Sequence, residues 1–390
     1  MPLTDLVPRG ASFELNSFEW HNSMAKYLSI GCATQCGTRY GSLNQDYCVV
    51  QEMYTPAEIP EGGKQVYIAA ICDGHGILGD KAALFSGKTM IRHLYAGALR
   101  NKTLCKMNSD ELALEMRVAF QKGHLAACSV YDNPPKTVIF PYKSSRGTTM
   151  IPYCLVDVSG IAVYRCPQPP CRSKGGGGSS PVEVSPATAE AAFDQRGPEK
   201  MLECGCTATV AVVQGRRLLL ADVGDSAAVL GSCTSDNVVC EECNFSAEAL
   251  TERHWGLNAA EAERLRTDYG HCTRILEDGY VKMLDGHLNG YELAVTRALG
   301  HKNLGSFGII SEPHIIVRDL EERHCCLVLA SDGVWDVMTP MEAVQHVMSS
   351  AGQGRSAKEA AEALVQHAVQ LGLSGRHAEQ DNTSAAVVFL

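Results

Sequence analysis

Three apolar runs in this chain stop abruptly at aspartate beside glycine, and a fourth run opens on aspartate. Residues 66–72 lead into Asp73-Gly74-His75-Gly76, 218–223 into Gly224-Asp225-Ser226, and 327–331 into Asp332-Gly333, while Asp381-Asn382 precedes 383–390. Each has an ordinary reading alone, because Asp and Gly end strands and start turns. Four together are a pattern. Strands buried in one sandwich end at a common rim, where their terminal carboxylates can converge. Carboxylates a few ångströms apart repel one another and raise each other's pKa unless a cation neutralises them. All-oxygen donors select hard cations, Mg²⁺, Mn²⁺ or Ca²⁺, over zinc or copper. A carboxylate-held pair of such ions ~3.5–4 Å apart suits hydrolytic attack on phosphate. Glycine beside each aspartate lets the backbone approach, so that a carbonyl or a water can join the coordination.

The elements that must position these residues are of two kinds. Short apolar, β-rich runs cover 27–34, 46–50, 66–72, 207–213, 217–223, 227–230, 314–318, 325–330 and 383–389, and turn residues punctuate them. Helical stretches are expected over 80–99, 109–127 and 258–269. Two more open on capping boxes, Thr339-Pro340-Met341-Glu342 and Ser356-Ala357-Lys358-Glu359, and run to about 348 and 371. Strands early and late with paired helices between them predict sheets covered by helices, an α+β layering, and not a doubly wound parallel sheet. One domain over 27–390 is expected. Residues 131–202 read as an insertion, since they hold ten of the sixteen prolines and the run 175–178 of glycines. That composition predicts little buried surface apart from a short hairpin around 150–163. Residues 1–26 form an N-terminal extension, and Leu6-Val7-Pro8-Arg9-Gly10 resembles an engineered protease site.

Composition narrows the function. With 45% hydrophobic and 20% charged residues the chain is globular in type. Its net charge of −10 and the lack of a Lys/Arg-rich block argue against nucleic-acid binding. No apolar run approaches the ~18–20 residues of a membrane span, and no secretory leader is evident, so a cytoplasmic or nuclear place is expected. The 17 cysteines are odd in number and mostly embedded in apolar runs, which points to free thiols in a reducing compartment. A zinc site at Cys240 and Cys243 with Cys233 lacks a fourth ligand at suitable spacing.

With these residues in view, an ordered series of motifs emerges. Asp73-Gly74-His75-Gly76, Gly205-Cys206-Thr207-Ala208, Val223-Gly224-Asp225-Ser226, the segment 293–300 with Arg297-Ala298-Leu299-Gly300, the segment 330–337 with Asp332 and Asp336, and Asp381-Asn382 resemble the type 2C (PPM) metal-dependent protein serine/threonine phosphatases. Leu250-Thr251 and His254 with Glu261 and Arg264 resemble the segment linking those motifs. The resemblance implies a central antiparallel β-sandwich flanked by helix pairs, in α-β-β-α layers, with a binuclear Mn²⁺ or Mg²⁺ site at one end. It implies that Asp73 bridges two ions, that the carbonyl of Gly74 binds one, that Asp332 and Asp381 bind the other, and that Asp46 acts through water. Asp225 and Asp336 match positions of a possible third ion, and Thr207 a supporting position. A metal-bridging water would attack phosphorus in line, and His75 would protonate the departing Ser/Thr oxygen, a task suited to imidazole near neutral pH.

Two positions depart from the family pattern. Gly41 stands where a base normally grips the phosphate, and Arg39 is expected to reach round instead, its ordinary reading being a surface loop charge. His301 follows Arg-Ala-Leu-Gly where aspartate is usual; with Arg297 read as structural, this puts a local hydrogen bond in question. Asp222 replaces a neutral residue and either adds charge near the cluster or faces solvent. His93, His254, His271, His287 and His324 are expected to be surface or core residues, and Trp335 to pack. The leading expectation is hydrolysis of phosphoserine and phosphothreonine in protein substrates by a monomer. A binding module that has kept the fold without turnover is the second reading, and a nucleotide phosphodiesterase the third. The second is disfavoured because an idle chain has no need of a repelling carboxylate cluster.

Overall fold

The computed structural model describes residues 28–54, 65–97, 99, 104–144, 147–166, 198–233, 244–374 and 379–390. Residues 1–27, most of the glycine-rich part of the insertion, and Cys240 with Cys243 lie outside the described residues.

Alternation in the strands builds the centre. In Gln65–Cys72, residues Val66, Ile68, Ala70 and Cys72 face one way and Tyr67, Ala69 and Ile71 the other, and all seven are buried. A strand covered on both faces must be sandwiched between two layers. One five-stranded sheet runs in the order His314–Asp319, Arg217–Val223, Ala208–Gln214, Gln65–Cys72, Tyr47–Tyr54. The other runs Ser29–Gln35, Thr383–Phe389, His324–Ala330, Ala227–Cys233, Phe245–Ala249. Every pairing in both is antiparallel. Their facing sides share one core that includes Ile71, Leu220, Leu230, Leu329 and Val388; each such side chain contributes about 1.5–3 kcal/mol through burial.

Helix pairs close the outer faces. Gly79–Ala96 and Ser109–Cys128 cover the first sheet through Met90, Leu94, Met116 and Phe120. Pro340–Gly352 and Ala357–Ser374 cover the second through Val344, Val347, Leu364 and Val365. Both capping boxes read from the sequence are formed. Thr339 and Glu342 cap each other's backbone, and the Ser356 N–H donates to Glu359 at 2.8 Å while Glu359 N–H donates back to Ser356 Oγ at 3.3 Å. The α-β-β-α layering expected above is the architecture observed.

The part of the 131–202 segment that is described is more ordered than its composition predicts. Thr137–Ser144, Gly147–Val158, Ile161–Arg165 and Glu199–Met201 pair in sequence order as a four-stranded sheet. Beneath it lies a separate core in which Tyr153 and Tyr164 are fully buried. Proline was a misleading signal here: Pro141 occupies the edge strand, where a missing N–H costs no ladder bond. A further layer, helix Ala259–Tyr269 over three short strands, has its own core around Leu265, Val281 and Val295.

Candidate active site

The carboxylates expected from sequence lie at strand ends on one rim of the sandwich. Asp73 follows Gln65–Cys72, Asp225 follows Arg217–Val223, Asp332 opens the short helix Asp332–Trp335 after His324–Ala330, and Asp381 precedes Thr383–Phe389. Burial holds Asp73 well above the usual carboxylate range, and the charges of Asp46, Asp332, Asp381 and Asp225 add to it. Asp332 is raised in the same way, by burial and then by Asp225, Asp381, Asp336 and Asp46. Asp46 is pushed up to about 6 by burial, against hydrogen bonds from Ser384 and Ser331 and with Asp381 adding to the rise. Such mutual influence places these carboxylates in one another's neighbourhood on the rim.

Individual contacts fix these groups. The Asp73 N–H donates to Thr207 Oγ1 at 3.1 Å, Thr207 N–H donates to Asp73 O at 2.8 Å, and Thr207 Oγ1 meets Ser226 Oγ at 2.7 Å. Thr207 thus props the loop that carries Asp73. Ser331 Oγ donates to Asp46 Oδ2 at 2.9 Å. Gly74 is wedged between backbones: a Cβ there would stand 2.3 Å from Gly79 O and 2.5 Å from Gln45 O. No side chain fits at that position.

The donor set suits a hard cation. Among the described residues Asp46 Oδ1 and Asp332 Oδ1 are buried without a hydrogen-bond partner, an arrangement that costs free energy unless a positive charge meets it. The side chains are not drawn into a finished shell, since no three His, Cys, Asp or Glu among the described residues stand close enough to hold one ion. Positive charge comes from arginine. Arg39 Nη1 lies 2.6 Å from Asp381 Oδ2, and Arg253 Nη2 lies 3.6 Å from Asp225 Oδ2 with its guanidinium over the Trp255 ring. Arg253 escaped the sequence reading, because nothing local sets it apart from an ordinary loop charge.

The two departures from the family pattern both have structural consequences. Gly41 has φ +64°, a backbone region that disfavours a side chain, and the turn there rests against Met150 and Thr148 of the inserted sheet. Arg39, two residues earlier, reaches the rim at Asp381. His301, in turn, sits against His75: His301 Nε2 and His75 Nδ1 are 3.1 Å apart, and the rings stack with centroids 4.7 Å apart. Burial and the neighbouring His301 press His75 down to about 3, so at neutral pH it is uncharged here. Glu203, buried behind His301, was not singled out from sequence; only the departure at 301 pointed to that region.

Other expectations resolve simply. Arg297 is structural, its Nε and Nη2 bonding Glu261 Oε1 at 3.0 and 2.5 Å. Asp222 does not face solvent: it is fully buried, with His314 Nδ1 at 3.0 Å and His254 Nδ1 at 3.6 Å. His93 lies 3.4 Å from Glu115, His324 Nδ1 accepts from the Glu321 N–H, and the Trp335 indole packs on the second sheet while donating to Ala330 O.

A family model described as protein phosphatase 2C matches residues 177–376, just over half of the chain. Arg39, Asp46, Asp73, Gly74 and His75 precede that segment and Asp381 follows it, so their place rests on the geometry above. Among curated proteins, "Probable protein phosphatase 2C 41" of Arabidopsis thaliana is 35% identical over 188 residues, 47% of this chain and 51% of that protein. "Probable protein phosphatase 2C 73" of Oryza sativa is 33% identical over 168 residues, 42% of this chain and 39% of that protein. The matches thus span about half or less of these relatives' length. Among solved structures, the serine-threonine phosphatase 2C from Toxoplasma gondii has a TM-score of 0.59 at 17% identity, covering 93% of this chain and 94% of its own. A C. elegans sex determining protein gives 0.55 at 16% identity, covering 96% of this chain and 66% of its own. At such identity these likenesses concern the fold alone.

Proposed function

The chain belongs to the protein phosphatase 2C family, and from that membership we propose that it hydrolyses phosphoserine and phosphothreonine in proteins with the help of Mn²⁺ or Mg²⁺. The observation that carries the reading is the rim of buried, mutually repelling carboxylates with unpartnered oxygens on Asp46 and Asp332. Asp73, the Gly74 carbonyl, Asp332 and Asp381 would hold two ions, with Asp46 in support and Asp225 and Asp336 able to take a third. When bound, such ions supply charge neutralisation on the phosphoryl oxygens and an activated water.

The chain's own residues do the rest. Arg39 grips a non-bridging phosphate oxygen, as a planar guanidinium does well. His75 is neutral at rest, and the negative charge of an incoming phosphate favours its protonated form. As water oxygen bonds to phosphorus and the ester P–O bond breaks, the Nε2 proton of His75 passes to the departing Ser or Thr oxygen. The products are the free hydroxyl side chain and inorganic phosphate. The reading carries phosphoproteins as substrates, a monomeric enzyme, and a cytoplasmic or nuclear place; among the described residues no helix is long and apolar enough to cross a membrane.

A second reading, a binding module without turnover, draws on the Arg39–Asp381 pair, which occupies a carboxylate oxygen that a cation would need. Phosphate release from a phosphothreonine peptide separates the two. The expected result is Mn²⁺- or Mg²⁺-dependent release that a chelator abolishes and Asp73→Ala or Asp332→Ala removes. Peptide binding with no release at any cation concentration would establish the second reading instead.

A further inference from the structure

Three short strands, separate from the sandwich, bring distant parts of the sequence together beside the candidate active site. They run in the order Leu299–Gly300, Cys204–Cys206, Gly74–Gly76, with Gly205 paired to both His75 and Gly300. Gly205 has to be glycine for this, because a Cβ there would stand 2.4 Å from His301 Cδ2 and 2.5 Å from Leu299 O. His301 itself has φ +48°, a left-handed conformation that a residue with a Cβ adopts only when its surroundings hold it there. Its N–H donates to Cys204 O at 2.7 Å and its C=O accepts from Leu304 N–H at 2.9 Å. The backbone is thus pinned on both sides in a disfavoured state, and the ring it presents is the one that touches His75.

Behind that ring lies a carboxylate. His301 Nδ1 is 3.5 Å from Glu203 Oε2, an ion-pair distance at which no hydrogen bond is formed among the described residues, and both side chains are 1% exposed. Glu203 is itself anchored: Tyr131 Oη donates to Oε2 at 2.9 Å, and Asn303 Nδ2 donates to Oε1. The order in space is Glu203, His301, His75. A carboxylate facing one imidazole nitrogen favours the proton on that nitrogen, and so fixes what the opposite nitrogen can do.

We propose that Glu203 and His301 are positioning residues for His75, an inference that rests on the phosphatase reading above. Glu203 holds the proton of His301 on Nδ1, His301 Nε2 therefore presents a lone pair, and that lone pair accepts the Nδ1–H of His75. The nitrogen left for the reaction is His75 Nε2, which is buried without a partner among the described residues. When Nε2 carries a proton and delivers it to the departing oxygen, the proton on His75 Nδ1 stays there, hydrogen-bonded to His301 Nε2 throughout. No co-reactant is needed beyond the water of hydrolysis.

The test uses the full chain and two substrates, a phosphothreonine peptide and p-nitrophenyl phosphate, whose leaving nitrophenolate has little need of a proton. His301→Ala is expected to lower kcat on the peptide roughly 10–100-fold, the range for loss of an orienting partner, with little change in KM. The loss on p-nitrophenyl phosphate is expected to be at least several times smaller, and Glu203→Gln to follow the same pattern more weakly. In a His75→Gln background, adding His301→Ala should cost nothing further on the peptide. Equal losses on both substrates, or a full His301→Ala effect without His75, overturn the proposal. A wild-type chain inactive on both substrates, or a His75→Gln chain with no selective loss on the peptide, overturns the phosphatase or general-acid reading instead. Should His301→Ala fail to fold, ¹⁵N NMR of the wild-type imidazoles decides. The expected pattern is the proton on Nδ1 of both His75 and His301; neutral His75 protonated on Nε2 overturns the proposal.

Discussion

Arg39 and Asp381 meet through a hydrogen bond of 2.6 Å across 342 positions of sequence. The backbone makes the meeting obligatory. The N–H groups of Thr38 and Arg39 both donate to Gln380 O, at 2.8 and 3.0 Å, and a Cβ on Gly37 would stand 2.1 Å from that same oxygen. The Arg39 side chain is 43% exposed, so the pair adds little stability. Its consequence is placement: a fixed guanidinium at the carboxylate rim, sharing an oxygen that a cation at Asp381 would compete for.

Arg39→Ala is therefore expected to raise KM for a phosphopeptide about 10-fold, the loss of one charge-assisted contact of about 1.5 kcal/mol, with a smaller effect on kcat. Gly41→Arg should not restore affinity, because φ +64° at that position strains any side chain. Steady-state kinetics on the four combinations checks this. An unchanged KM in Arg39→Ala, or full rescue by Gly41→Arg, rules the role out.

Removing cations should reveal the repulsion in the cluster. Asp73 and Asp332 are held well above the carboxylate range by burial and by their neighbours, so their charged forms destabilise the cation-free protein at neutral pH. Asp73→Asn and Asp332→Asn are expected to raise the melting temperature in chelator. Mn²⁺ at 100-fold excess over Kd should stabilise the wild type by about 2.7 kcal/mol, and this gain should be absent in Asp73→Asn. Thermal unfolding with and without Mn²⁺ is the measurement. A full Mn²⁺ shift in both variants would place the ion elsewhere.

Much of this was legible in the sequence, for identifiable reasons. Strands buried on both faces announce themselves as unbroken apolar runs, and the Asp-Gly pairs that end them mark the rim. The helix starts at Thr339 and Ser356 were readable because a capping box is a contact between residues three apart. What escaped depends on long-range placement. Glu203 looks like any charged residue beside a turn until the pairing of Gly205 with Gly300 sets it behind His301. The hairpin expected around 150–163 is present as Gly147–Val158 with Ile161–Arg165, but the outer strands Thr137–Ser144 and Glu199–Met201 carry no comparable signal amid the proline, although an edge strand tolerates Pro141. Asp222 could not be assigned a side of its strand from sequence, and its two histidine neighbours come from positions 254 and 314.

Arg297 should separate stability from catalysis. It reaches Glu261, which is 3% exposed at its side chain and also bonded by Arg264 Nη2 at 2.8 Å. Burial works to raise Glu261, but the bonds from Arg297 and Arg264 outweigh it and hold the carboxyl down at about 2. Breaking one partner of a buried pair costs about 3–5 kcal/mol; with Arg264 retained and Arg297 partly exposed, Arg297→Ala is expected near the lower figure. Urea unfolding measures the loss, and kcat/KM on a phosphopeptide at low temperature should change less than about 3-fold, the equivalent of under 1 kcal/mol. A stable Arg297→Ala with a large catalytic defect would contradict the structural role.

The buried Asp222 makes a prediction about pH. Burial pushes it up to about 6 against the pull of His314, and the hydrogen bond to Asp222 raises His314 in turn, against its own burial. Both groups bind extra protons in the folded state, so the stability they contribute is present at low pH and is lost as pH rises through the folded values. His254, on the other side, is lowered to about 4 by burial and Arg297 and acts in the opposite sense, but it remains in a variant at 222. Glu252 and Arg297 also face the site and are unchanged in the variant. Asp222→Asn removes the first two contributions while preserving volume. Its unfolding free energy relative to wild type is therefore expected to rise between pH 4.5 and 7, by at most about 3 kcal/mol for a shift of roughly two units. Urea unfolding at several pH values checks the slope. Parallel profiles for the two proteins would mean that Asp222 ionises in the folded state as it does in water, and that its histidine neighbours do not sense it.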